Sequence, residues 1–147
     1  DLVSSSPRFE GDYTLAVFRK PETVNFMSDF KGCSTSLKKI IAAERNEGRR
    51  VACWGAGGRG VSLLVMCGLG HDDISFLIDS SPDKQELFTP GSKFRVSAPS
   101  ILLSDTVDTI IITAILFQDE ILKTLKDEYQ FSGRVVLLAP QPSIEVF

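Results

Sequence analysis

Six consecutive residues, Gly55-Ala56-Gly57-Gly58-Arg59-Gly60, are the part of this chain best suited to chemistry. Gly55 allows a sharp turn, Gly57 lets a ligand approach the backbone without meeting a Cβ, and Gly60 permits close helix–strand packing. A helix that starts here offers free N–H groups and the positive end of its dipole to an anion of phosphate size. Arg59 adds a charge-assisted contact. Asp79 ends the next apolar run, Ile74-Ser75-Phe76-Leu77-Ile78, where a carboxylate can accept hydrogen bonds from ribose hydroxyls. Both readings have a plainer alternative. The glycines can serve turn and packing alone, and an Asp before Ser80-Ser81-Pro82 can simply cap or start a turn.

Other reactive side chains are sparse. The single histidine, His71, falls in Gly70-His71-Asp72-Asp73, which reads as a solvated loop, so no Ser/His/Asp or Cys/His set is expected. The three cysteines, Cys33, Cys53 and Cys67, form no Cys-x-x-Cys pair and read as reduced, buried residues. No metal site is expected. Trp54, at the strand tip before the glycines, reads as core rather than as a ligand platform.

The elements that must position these residues alternate. Val51 to Trp54 reads as a strand, 58–68 as a helix ended by Gly68-Leu69-Gly70, and 74–79 as a second strand. A long irregular stretch from Ser80 to Pro99 contains Pro82 and the Pro90-Gly91 turn, with a possible short strand at Phe94-Arg95-Val96. Pro99 to Leu103 resembles a short helix. Thr109 to Thr113 is the near-continuous apolar run of a parallel strand covered on both faces. Asp119 to Tyr129 is an amphipathic helix, and Arg134 to Leu138 reads as the last strand. This order, with the glycine turn and Asp79, predicts an α/β, Rossmann-like, doubly wound and mostly parallel sheet. Upstream, residues 1–10 read as a frayed lead-in, Tyr13 to Phe18 as a strand, and Glu22 to Glu47 as a helix in one or two pieces, stopped by Gly48. The expected division is an N-terminal strand and linker helix over 1–50 and a Rossmann-like domain over 51–147.

A chain of 147 residues can bury a core without staples. Its net charge of −3 leaves no basic footprint, so nucleic acid is not an expected partner. No run approaches the ~18 apolar residues of a membrane span, so no membrane partner is expected either. The opening Asp1-Leu2-Val3-Ser4-Ser5-Ser6 lacks the form of a secretory leader, and a cytoplasmic location is expected.

From Val51 onward the chain resembles the C-terminal domain of bacterial sugar C-methyltransferases. The resemblance rests on Trp54-Gly55-Ala56-Gly57-Gly58-Arg59-Gly60, Ile78-Asp79-Ser80-Ser81-Pro82-Asp83-Lys84-Gln85, Phe88-Thr89-Pro90-Gly91-Ser92 and Val96-Ser97-Ala98-Pro99. It covers about residues 11–142. The chain departs from the family where Glu10-Gly11-Asp12-Tyr13 stands in place of His-Gly-Gly-Ser, and where Arg59 stands in place of Lys. The resemblance implies a parent with a zinc-binding N-terminal domain and a central domain that binds S-adenosylmethionine and carries the catalytic residues. In such a parent a base deprotonates the sugar beside its keto group, and the carbanion or enolate attacks the sulfonium methyl. This chain would hold no cofactor and would not methylate alone. It would help bind a nucleotide-sugar through Gly55, Ala56, Gly57, Gly58, Arg59 and Gly60, and through Asp79, Lys84, Pro90 and Gly91. Its partner would be the central methyltransferase domain.

Two other readings stay open. One is an NAD(P)-dependent or nucleotide-sugar oxidoreductase domain, which the glycine turn and Asp79 favour and the lack of a Tyr-x-x-x-Lys pair disfavours. The other is an interaction module that has lost its ligand.

Overall fold

The computed structural model describes the backbone of residues 2–8, 13–18, 26–138 and 143–147, and the side chains of 34–138 and 143–147. The chain forms two compact units, Asp1–Lys31 and Gly32–Phe147. In the first, β1 (Leu2–Arg8) pairs antiparallel with β2 (Tyr13–Phe18). The expectation of a frayed lead-in over 1–10 is therefore corrected for 2–8: backbone pairing along β2 makes a strand of a Ser-rich segment that carries no apolar alternation. Glu10-Gly11-Asp12 and the expected helix start at 22–25 lie outside the described residues.

Helix α1 (Phe26–Asn46) is a single piece, and Gly48 follows it at φ +72°, the left-handed conformation that ends a helix. The main sheet comprises β3 (Val51–Trp54), β4 (Leu77–Ile78), β5 (Val96–Ser97), β6 (Thr109–Ile112), β7 (Arg134–Leu137) and β8 (Ser143–Val146). Between them lie α2 (Gly58–Met66) and α3 (Gln118–Asp127). The strand order is β5-β4-β3-β6-β7-β8, all parallel except β8, which runs antiparallel to β7. This is the doubly wound Rossmann order with a sixth, reversed edge strand.

Three expectations change in detail. Arg134 to Leu138 is not the last strand, because β8 follows it; all of β8 is solvent-exposed, so burial imposed no apolar pattern on it. The second expected strand, 74–79, narrows to Leu77–Ile78, although Ser75 N–H still donates to the Val51 carbonyl. The short strand expected at 94–96 is Val96–Ser97.

Alternation along the strands builds two cores. Val51, Cys53, Leu77, Ile111 and Val136 face one side, where Leu37 and Ile41 of α1 and Leu64 of α2 cover them. Ala52, Trp54, Ile78, Ile110, Ile112, Val135 and Leu137 face the other, beneath Ile121 and Leu125 of α3. Burial on both faces is why the strands read as continuous apolar runs. No described helix is long and apolar enough to cross a membrane.

Candidate functional site

The chain leaves β3 and β6 toward opposite faces of the sheet, so the carboxyl ends of these neighbours bound a crevice, the usual ligand position in this topology. A cleft of about 480 Å³ opens there. Its walls include Gly55, Gly57, Gly58, Arg59 and Gly60 from the glycine turn, Asp79, Ser81 and Lys84 from beyond β4, and Thr113 to Phe117 and Glu120 from beyond β6.

The glycines divide into two kinds. Gly55 sits at φ +122°, and a Cβ there would lie 2.6 Å from Thr113 Oγ1 and 2.8 Å from the Ala114 nitrogen. A Cβ on Gly60 would lie 2.3 Å from the Gly55 carbonyl oxygen. These two are glycine because the fold leaves no room. Thr113 completes the junction by donating its hydroxyl to the Gly55 carbonyl at 2.7 Å. Gly57 and Gly58 differ, since a Cβ on either would meet nothing within 4 Å. Gly57 also has an ordinary extended backbone, φ −75° and ψ 167°. Neither backbone strain nor a neighbouring atom requires glycine at 57.

The start of α2 is bare. It has no side-chain cap and no acidic residue in its first turn. Its hydrogen-bond ladder begins with Val61 N–H donating to the Gly57 carbonyl, and the amides of Gly58, Arg59 and Gly60 find no acceptor among the described residues. Arg59 is exposed and forms no ion pair among the described residues. The start of α2 therefore presents its free amides and the Arg59 guanidinium to the cleft, with the Glu120 carboxylate also on the wall.

Asp79 lies under this turn and is 7% exposed. Its Oδ2 accepts from the Ala56 amide at 2.8 Å and its Oδ1 from the Ser81 amide at 2.9 Å. Lys84 Nζ donates to both oxygens, at 3.0 and 3.3 Å. Ala56 is not on the cleft wall: its amide is taken by Asp79 and its side chain packs against the core, while Lys84 stands half-exposed on the rim. The opposite wall is apolar: Ile115, Leu116 and Phe117 form a short 3-10 turn, with Leu116 79% and Phe117 59% exposed. Trp54 closes the floor, buried and edge-on to Tyr129 with ring centroids 6.4 Å apart.

The structure does not bring Pro90 and Gly91 to the cleft. They form a separate turn in which the Thr89 and Ser92 hydroxyls lie 2.9 Å apart and Gly91 takes φ +77°. His71 is exposed and packs at a tilt against Phe94, with ring centroids 4.3 Å apart. Cys53 and Cys67 are buried free thiols, and burial pushes the Cys53 pKa well up, so it is inert as a nucleophile. The Cys33 side chain lies outside the described residues. Among the described residues no cluster could hold a metal.

Sequence reasoning missed the Ile115–Phe117 wall and Thr113's lock on the turn. The available signal was an apolar triplet just past a strand that had to end at the crevice. It also missed Glu44, buried at the opposite end of the sheet. Glu44 accepts from Arg49 Nε at 2.6 Å and Nη2 at 3.0 Å, from Arg134 Nη1 at 2.9 Å and from the Thr109 hydroxyl at 2.5 Å. Burial raises its pKa, but these hydrogen bonds outweigh burial and hold it down at about 2.

The model of the C-methyltransferase C-terminal domain family matches residues 14–140. C-methyltransferase NovU of Streptomyces niveus is 29% identical over 108 residues, covering 74% of this chain and 26% of NovU. The chain thus spans about a quarter of the length of the curated relative it matches.

Proposed function

The chain belongs to the C-methyltransferase C-terminal domain family, and from that premise we propose that it is the substrate-holding domain of a sugar C-methyltransferase. In this reading a nucleotide-linked sugar lies in the cleft, with its diphosphate on the bare start of α2. The observation that carries it is Gly57, a glycine that neither its backbone nor its neighbours require, beside amides that have no acceptor among the described residues. A diphosphate at van der Waals distance would explain both. Arg59 and Lys84 supply the flanking charge. The apolar wall of Ile115, Leu116 and Phe117 suits the flat face of a base.

S-adenosylmethionine carries no phosphate for the bare start of α2 to hold. The methyl donor and the groups that move the proton belong, in this proposal, to the parent's central domain, which would be this chain's partner in the cytoplasm. The contribution of this chain is to hold the sugar in one orientation, which is itself a large part of a catalytic rate. The oxidoreductase reading needs Asp79 free to bind a ribose, and Asp79 is already engaged.

Thermal unfolding of the 147-residue chain with thymidine diphosphate-glucose, NAD and S-adenosylmethionine, each titrated separately, tests the proposal. Stabilisation by the nucleotide-sugar alone supports it. Stabilisation by NAD alone promotes the oxidoreductase. No response to any of the three favours the interaction module.

A further inference from the structure

We propose that Asp79 is a positioning residue that clamps the glycine turn and Lys84, and that the cleft consequently does not distinguish ribose from deoxyribose. The inference rests on the cleft's being a nucleotide site, as proposed above. An ionised carboxylate has about four acceptor positions. In Asp79 they are matched by four donated hydrogen bonds, two to each oxygen: Ser81 N–H and Lys84 Nζ on Oδ1, Ala56 N–H and Lys84 Nζ on Oδ2. The backbone is held as firmly, with Asp79 N–H donating to the Ser97 carbonyl and Gln85 Nε2 donating to the Asp79 carbonyl.

A ribose 2′-hydroxyl could reach this carboxylate only by displacing one of those donors. Displacing Ala56 N–H would loosen the turn that presents the Gly57–Gly60 backbone. Displacing Lys84 would remove a cation from the rim. In both cases the anion site weakens as the ribose contact forms, so the two cannot strengthen binding together. Asp79 instead acts through what it holds: it fixes the amide of Ala56, one residue before Gly57, and aims Lys84.

Thymidine diphosphate and 5-methyluridine diphosphate differ only in the 2′-hydroxyl, and calorimetric titration of the 147-residue chain with each tests the inference. The expected affinities agree within about twofold, whereas a hydroxyl–carboxylate hydrogen bond would favour the ribose form about tenfold. Asp79→Asn is expected to weaken both ligands by the same factor, about tenfold. Its effect and that of Lys84→Met are expected to overlap, so that the double variant loses clearly less than the product of the single losses. A ribose preference that disappears in Asp79→Asn would overturn the inference, as would fully independent effects of the two substitutions. If neither nucleotide binds, the nucleotide reading itself fails. Hydrogen exchange then decides the clamp without a ligand: the Ala56 and Ser81 amides should exchange at least about tenfold faster in Asp79→Asn. Unchanged exchange would overturn it.

Discussion

The two ends of the sheet treat their charged groups in opposite ways. At the amino end Glu44 is 1% exposed, yet it takes hydrogen bonds from Arg49, Thr109 and Arg134. Each of these donors turns inward, and the arrangement ties α1 to β6 and β7. At the carboxyl end Asp79 is matched just as fully, but the groups it braces are not. The amides at the start of α2 and Arg59 have no partner among the described residues, and a Cβ on Gly57 would meet no atom within 4 Å. The first network is a structural device; in the proposed reading the unpaired amides at the crevice are where the ligand binds. The lesson is that the informative feature of a buried carboxylate is what its partners still offer to solvent.

The contrast can be broken most severely at the junction itself. Gly55→Ala would combine a strained backbone with contacts below 3 Å to Thr113 and Ala114. It is expected to cost about 4 kcal/mol, or to abolish soluble protein, as read from urea midpoints. At the amino end, Glu44→Ala should cost about 3 kcal/mol by the same measurement, because two arginines and a buried threonine lose their acceptor. Its affinity for nucleotide-sugar should not change. Gly57→Ala should do the reverse. Its backbone already suits alanine, so stability should stay within about 0.5 kcal/mol of wild type. Affinity for the nucleotide-sugar should fall at least about tenfold, because the new methyl occupies the ligand's approach.

A pH dependence, of about the size expected for Glu44→Ala, sharpens the comparison. Glu44 has its pKa lowered from 4.5 to about 2 in the folded chain. The stability it contributes is therefore fully present above pH 4.5 and is lost as pH falls toward 2. Urea midpoints collected through that window should decline more steeply in wild type than in Glu44→Gln, which has no carboxyl to protonate. Equal slopes would mean that Glu44 is not held ionised by its partners.

The sequence made legible what residue type alone encodes. The glycine turn could be placed because sharp turning and close packing admit few side chains, and Gly55 and Gly60 show both demands. Strands β3, β6 and β7 could be placed because burial on both faces leaves unbroken apolar runs. What escaped depends on partners distant in sequence. Strand β8 is exposed along its length and has no pattern of its own; its register comes from β7. Glu44 opens a polar run, Glu44 to Glu47, at the end of the expected helix. Its spacing from Leu37 and Ile41, seven and three residues, puts it on the buried stripe of α1, a carboxylate where the period calls for an apolar residue. Asp79 was legible as a carboxylate beside the turn, but its hydrogen bonds to Ala56 and Ser81 are set by how the loop after β4 folds back.

The most direct test of the central claim is a map of backbone amide shifts as thymidine diphosphate-glucose is titrated into the 147-residue chain. The account predicts the largest changes at Gly57, Gly58, Arg59 and Gly60, further changes at Lys84 and Phe117, and none at Glu44, Arg49 or Arg134. Changes centred on the Pro90-Gly91 turn or on the amino end of the sheet, with the glycine turn silent, would contradict it.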